Sequence, residues 1–158
     1  MHAETKNPLH YGWVVVFTGM LCIMACLGIG RFSLGMLLPS MASTLNLSYS
    51  QMGYISTGNF LGYLISVLVS GHLAAKFGPR RFIVFALLLV SISMALVSRS
   101  ETFGTVLLLY TFTGMGSGAA NVPVMGLASA WFKANKRGKA AGFMVIGSGF
   151  AIMLSGWL

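Results

Sequence analysis

Charged residues are absent from Tyr11 to Gly30, where Arg31 interrupts, and absent again from Phe32 to Ala75. The second run is too long for one membrane crossing and breaks at Pro39 and at the polar stretch Asn46 to Gln51. Three more apolar stretches follow, Phe82 to Ser98, Thr102 to Phe132 and Ala140 to Leu158. A helix needs about 20 mostly apolar residues to cross a bilayer, within a range of about 17–25. Split at its breakers, the pattern predicts five crossing helices near 12–38, 51–75, 82–98, 103–131 and 139–158. Leu38-Pro39 should close the first, because proline disfavours helix in the residue before it. Ser48 and Gln51 have the spacing of a capping box and should open the second. Phe77-Gly78-Pro79-Arg80-Arg81 and Arg99-Ser100-Glu101 read as tight turns. The first run is too long for a signal-peptide core and is followed by four others, so it reads as a retained helix. The last stretch reaches Leu158 with no polar tail, which reads as a helix within a longer frame.

Composition sharpens this into an all-α integral membrane protein. Residues of the AVILMFWYC set make up 56% of the chain and charged residues 8%, against about 25% charged in soluble domains. The formal net charge of +8 would suit nucleic acid were it gathered in a stripe. Instead it flanks the spans. With the amino terminus on side one, five crossings put Lys6, Lys76, Arg80, Arg81, Lys133, Lys136, Arg137 and Lys139 on that side and Arg99 alone on the other. The positive-inside rule then makes side one cytoplasmic, in a multi-pass protein of the plasma membrane (a bacterial inner membrane). The partner implied is a lipid bilayer and not nucleic acid.

The same composition removes chemistry. Glu4 and Glu101 are the acids of the chain, so there is no carboxylate pair for general acid–base work and no oxygen cage for calcium or magnesium. Cys22 and Cys26 share a helix face as small packing residues, and His2, His10 and His72 form no spaced pair, so no metal site, cofactor or catalytic residue is expected. Gly58 and Gly62, Gly114 and Gly118, and Gly138 and Gly142 are each four apart, the spacing that lets helix backbones approach in lipid. Gly114-x-Gly116-x-Gly118 lacks the strand and the acid of a nucleotide loop, so it reads as packing too.

Arg31 is the most informative polar residue. It sits about 27 Å along the first helix from Trp13, at about 1.5 Å per residue, in the outer half of the bilayer. A charge there costs at least about 2.5–3.5 kcal/mol, and neither acid lies in a span to offset it. Two readings stand: a snorkelling or structural arginine, or a ligand for an anion. Asn59 and Tyr63 share a face of the second helix, and Ser117 and Asn121 a face of the fourth, with Pro123 just beyond. Interhelical hydrogen bonding and substrate binding both remain open for these four.

Gly71-His72-Leu73-Ala74-Ala75-Lys76-Phe77-Gly78-Pro79-Arg80-Arg81 resembles the signature loop between the second and third helices of the major facilitator superfamily, Gly-x-Leu-Ala-Asp-Arg-x-Gly-Arg-Arg. Ala75 replaces that pattern's aspartate and Pro79 an arginine, while Tyr110 stands near the place of the usual arginine of the fourth helix. Tyr11-Gly12-Trp13 resembles monocarboxylate and oxalate–formate carriers, as do the glycines from Gly114 with Pro123, Trp131-Phe132, and Arg137-Gly138-x-Ala140-x-Gly142. Gly28-Ile29-Gly30-Arg31-Phe32, Leu38-Pro39-x-Met41 and Asn59-x-x-Gly62-Tyr63-Leu64 resemble a little-characterised bacterial branch of the same superfamily.

The resemblance implies twelve helices built from inverted three-helix repeats, of which this chain would be the first five, with the C-terminal helices as missing partners. It makes the first and fourth helices repeat mates, as the recurrence of Phe17-Thr18-Gly19-Met20 in Phe112-Thr113-Gly114-Met115 suggests. It further implies a secondary transporter working by alternating access on a small organic anion, with a possible coupling ion such as a proton. Arg31, Asn59, Tyr63, Ser117 and Asn121 would bind substrate, and Gly71, Lys76, Gly78, Arg80 and Arg81 would form the gating loop. The alternative is a short polytopic protein that scaffolds or regulates other membrane proteins through its glycine faces.

Overall fold

The computed structural model describes residues 8–132 and 134–155, with the backbone alone at 8–11, 31, 33, 34, 128, 134 and 155. The described residues are helical almost throughout. Helix α1 (Pro8–Ile23) passes into a π-helical segment (Met24–Phe32) and then into α2 (Ser33–Leu45), so that one path makes the first crossing. Four helices follow: α3 (Tyr49–Phe77), α4 (Pro79–Val97), α5 (Phe103–Trp131) and α6 (Ala134–Ser155).

The connections are short and locally determined. Asn46 ends α2 in the left-handed conformation at φ 50°, its N–H donating to the Ala42 carbonyl. Ser48 and Gln51 form the capping box: the Ser48 hydroxyl accepts from the Gln51 N–H at 3.3 Å, and the Gln51 side chain accepts from the Ser48 N–H at 2.9 Å. Gly78 separates α3 from α4 at φ +85° and ψ 135°, a conformation open to glycine, and Pro79 then starts α4 with its φ already helical.

Pro39 does not close the first helix as expected; α2 runs through it to Leu45. Its missing N–H forfeits one bond, but neighbouring side chains and local adjustment tolerate this in membrane helices. Pro123 likewise lies inside α5.

Three stretches are long and apolar enough to cross a membrane: Gly12–Leu45 with 34 residues, Tyr49–Phe77 with 29 and Pro79–Val97 with 19. α5 and α6 have the length, 29 and 22 residues. α5 spends its positions on Gly, Thr, Ser and Asn facing other helices, and α6 opens with Asn135-Lys136-Arg137-Gly138-Lys139.

α5 is the hub, packed most extensively on α3 and α4 and also on α1, the π segment and α6. Its three central glycines divide by helical phase. Gly114 abuts the backbone of Asn59, and Gly118 lies so close to α3 that an added Cβ would come 2.6 Å from the Tyr63 carbonyl oxygen. Gly116 points the other way, where a Cβ would be 3.0 Å from the Ala86 carbonyl of α4. Apolar clusters fill the layers between: Ile55, Val97, Val106 and Tyr110 at one end, Cys26, Ala86, Ala119 and Ala120 in the middle, and Val16, Ile23, Ile83, Val124, Ala140 and Met144 at the other.

Two helix pairs repeat one packing. In the α3–α5 pair Gly114 meets Asn59, and Gly62 meets Thr111 and Met115. In the α1–α6 pair Gly19 meets Met144, and Gly147 meets Met20. The Gly-Met dipeptide thus makes the same two contacts twice, with partner positions three residues apart each time. Residue numbers rise together within each pair, so each is parallel, whereas α1 and α5 run in opposite directions as first and fourth crossings. Gly138 and Gly142, expected to pack in the same way, face open space.

Candidate functional site

The five residues expected to bind substrate divide into two kinds. Asn59, 1% exposed, donates its amide to the Tyr110 carbonyl at 2.8 Å. Ser117, 0% exposed, donates its hydroxyl to the Cys26 carbonyl at 2.8 Å, shared with its own helix at the Thr113 carbonyl at 2.9 Å. Both side chains are enclosed and committed to backbone oxygens. They lie between α3 and α5, and between α5 and the π segment.

Tyr63 and Asn121 are half-buried. Each lies one helical turn beyond its enclosed neighbour, and the Asn121 amide donates to the Tyr63 hydroxyl at 2.8 Å. The Asn121 Oδ1 is buried without a hydrogen-bond partner among the described residues. Arg31 lies in the π segment, a wide-turn geometry frequent at functional sites. Its side chain is outside the described part. Its backbone follows Gly30, where an added Cβ would lie 3.3 Å from the Ser117 hydroxyl. Ser117 therefore ties the segment carrying Arg31 to the helix carrying Asn121, and Asn121 reaches across to Tyr63.

The proposed gating residues gather at the opposite end of α3. Gly71, Lys76, Arg80 and Arg81 are exposed around the Gly78 break, and the Lys76 ammonium lies 5.8 Å from the Phe77 ring centroid. Across the same end, Arg137 donates to the Phe132 carbonyl at 2.9 Å.

Tyr110 had no role in the sequence reading beyond standing near an expected arginine. It is fully buried, its carbonyl receives Asn59, and its hydroxyl has no partner among the described residues. The π segment was also not legible, although Gly28-x-Gly30 in mid-span was an available signal: Gly28 abuts Ala151 of α6, and Gly30 abuts Val90 of α4. Among the described residues no group of three or more His, Cys, Asp or Glu could hold a metal ion.

A bundle of apolar helices, joined at one end by basic turns and tied through its interior by Asn, Ser and Tyr, defines a multi-pass membrane protein. The model of the Major Facilitator Superfamily matches residues 20–158, and the chain belongs to that family. It is 27% identical to the 3-(3-hydroxy-phenyl)propionate transporter of Escherichia coli K12, over 91% of this chain and 36% of that one. It is 33% identical to the uncharacterized transporter YgaY of Escherichia coli O157:H7, over 75% of this chain and 30% of the other. It is 26% identical to "Probable anion transporter 3, chloroplastic" of Arabidopsis thaliana, over 85% of this chain and 26% of the other. The chain thus spans roughly a quarter to a third of the length of these relatives. No solved structure matches it.

Proposed function

We propose that this chain is the amino-terminal part of a secondary transporter that moves a small organic anion by alternating access, with its amino terminus in the cytoplasm of a bacterial cell. The observation that carries the anion is Arg31: it falls inside a spanning path, and neither Glu4 nor Glu101 falls inside one. A guanidinium suits the task because its planar fork grips a carboxylate bidentately and keeps its charge when partly dehydrated. Tyr63 and Asn121, bonded to each other, supply hydrogen-bonding groups from α3 and α5, and the Asn121 Oδ1, without a partner among the described residues, suits a substrate that also carries a donor such as a hydroxyl. Relatives named for a phenylpropionate and for anions agree with this class. Asn59 and Ser117 fix the helices that present these groups. Gly71, Lys76, Gly78, Arg80 and Arg81 form the cytoplasmic gating loop. Any carboxylate for proton coupling belongs to parts of the carrier beyond these spans.

The test is equilibrium binding of 3-(3-hydroxyphenyl)propionate to the reconstituted carrier, with Arg31→Ala and Arg31→Lys beside the wild type and membrane abundance measured in parallel. Losing one partner of a desolvated charge pair costs about 2–5 kcal/mol, roughly 30- to 5000-fold in affinity. Arg31→Ala should weaken binding within that range, and Arg31→Lys should also be impaired because it keeps the charge but not the fork. Unchanged affinity in a well-inserted Arg31→Ala protein would make Arg31 structural.

A further inference from the structure

Among the described residues two buried side-chain atoms lack a hydrogen-bond partner, the Tyr110 hydroxyl and the Asn121 Oδ1. Their settings differ. Tyr110 is sealed, 0% exposed, in the apolar cluster of Ile55, Val97 and Val106. Asn121 is half-buried one turn beyond Ser117, so a solute packed on this part of α5 meets its side chain. The other end of the same amide is taken: its Nδ2 donates to the Tyr63 hydroxyl at 2.8 Å. The backbones of α3 and α5 abut here, since a Cβ at Gly118 would lie 2.6 Å from the Tyr63 carbonyl oxygen. Tyr63 therefore holds the amide from a fixed position, and Asn121 presents oxygen while its nitrogen is withheld. An amide oxygen only accepts. It receives an O–H or N–H and opposes a carboxylate oxygen.

We infer that Asn121 is a specificity-determining residue of the substrate site. It selects a monocarboxylate that carries a hydroxyl apart from its charged group, and it rejects a dicarboxylate. Tyr63 is the positioning residue that keeps the amide oxygen forward. The inference rests on the reading of Arg31 as the partner of the carboxylate, and the placement of the two residues divides the work between them. Arg31 follows Gly30, whose neighbour on α5 is Ser117. Asn121 lies four residues past Ser117, about 6 Å along α5. The first and fourth crossings run in opposite directions, so Arg31 and Asn121 leave the level of Ser117 toward opposite ends. One solute can then offer its carboxylate to the first and its hydroxyl to the second. Discrimination follows from what a wrong solute leaves unpaired: a hydrogen atom leaves the acceptor empty, and a second carboxylate meets it with like polarity.

The experiment measures equilibrium binding of three acids on one skeleton to the complete carrier: 3-(3-hydroxyphenyl)propionate, 3-phenylpropionate and 3-(3-carboxyphenyl)propionate. The wild type should bind the hydroxy acid about two- to tenfold more tightly than the unsubstituted acid, the factor for one net hydrogen bond. The dicarboxylate should bind at least about tenfold more weakly than the unsubstituted acid, because it buries a charge without a donor. Asn121→Leu, similar in shape but without polar atoms, should erase the first ratio. Tyr63→Phe frees the amide to turn its nitrogen outward and should lower both ratios, which keeps the test open if Asn121→Leu does not fold. Arg31→Ala should weaken all three acids and leave the ratios in place. Full affinity in Arg31→Ala would overturn the anion reading. With that reading intact, this inference is overturned by wild-type ratios near one, by ratios that both Asn121→Leu and Tyr63→Phe leave unchanged, or by a wild type that prefers the dicarboxylate. Failure of all three acids to bind would overturn both.

Discussion

Tyr110 and Asn59 show how differently two buried polar residues can behave. The Asn59 amide has its acceptor, whereas the Tyr110 hydroxyl is enclosed with none among the described residues. An unsatisfied buried donor costs about 1–3 kcal/mol, while a typical made bond contributes about 0.5–1.5 kcal/mol net. Tyr110→Phe should therefore leave the unfolding midpoint in detergent unchanged or raise it. Asn59→Ala should lower it by about 1 kcal/mol, near what interhelical bonds yield in membranes. A Tyr110→Phe protein less stable than Asn59→Ala would reveal a partner for the hydroxyl. At this scale the sequence placed these residues on helix faces without showing which would be enclosed. The spacing of Asn59 with Tyr63, and of Ser117 with Asn121, placed each pair on one face. Which member is enclosed depends on the depth of the α3–α5 contact, a tertiary quantity that spacing does not carry.

At the scale of the helix, glycine is informative where backbones meet and silent where they do not. A Cβ at Gly118 would press on the Tyr63 carbonyl, so Gly118→Ala must push α3 and α5 apart. Overpacking of this kind costs about 1–3 kcal/mol. Gly142→Ala meets open space and should stay within about 0.5 kcal/mol of wild type. Thermal unfolding of the two variants side by side checks both, and equal losses would contradict the packing described. Both glycines belong to pairs four apart, and nothing in the sequence tells one pair from the other. The ends of α3 and the break at Gly78 were legible because capping and turn chemistry are local. The persistence of α2 beyond Pro39 was not, because tolerance of a missing bond depends on the surroundings of the helix.

At the scale of the molecule, the repeated packing of α1 on α6 and α5 on α3 gives the bundle an inverted duplication, for which the recurrence from Phe17 and from Phe112 was the one trace in the sequence. Five crossings put the α4–α5 turn opposite the α5–α6 turn, and the proposed orientation puts the latter in the cytoplasm. With Cys22 and Cys26 replaced, Ser100→Cys should react with an impermeant maleimide added to intact cells. Asn135→Cys should react only after the membrane is permeabilised. The reverse pattern would invert the orientation and place the Gly78 turn outside.

The π segment has a consequence for chain length. A π-helical stretch arises when a helix absorbs surplus residues without losing its ends, so Met24–Phe32 is a place where the main chain carries slack. Deleting one residue there would draw the stretch toward α-helical register and turn α1 against α2 by less than the about 100° that losing one residue of an uninterrupted α-helix would cost. Among homologues, single-residue insertions and deletions within the first crossing are therefore expected between Met24 and Phe32, in step with compensating changes at Ala151 and Val90.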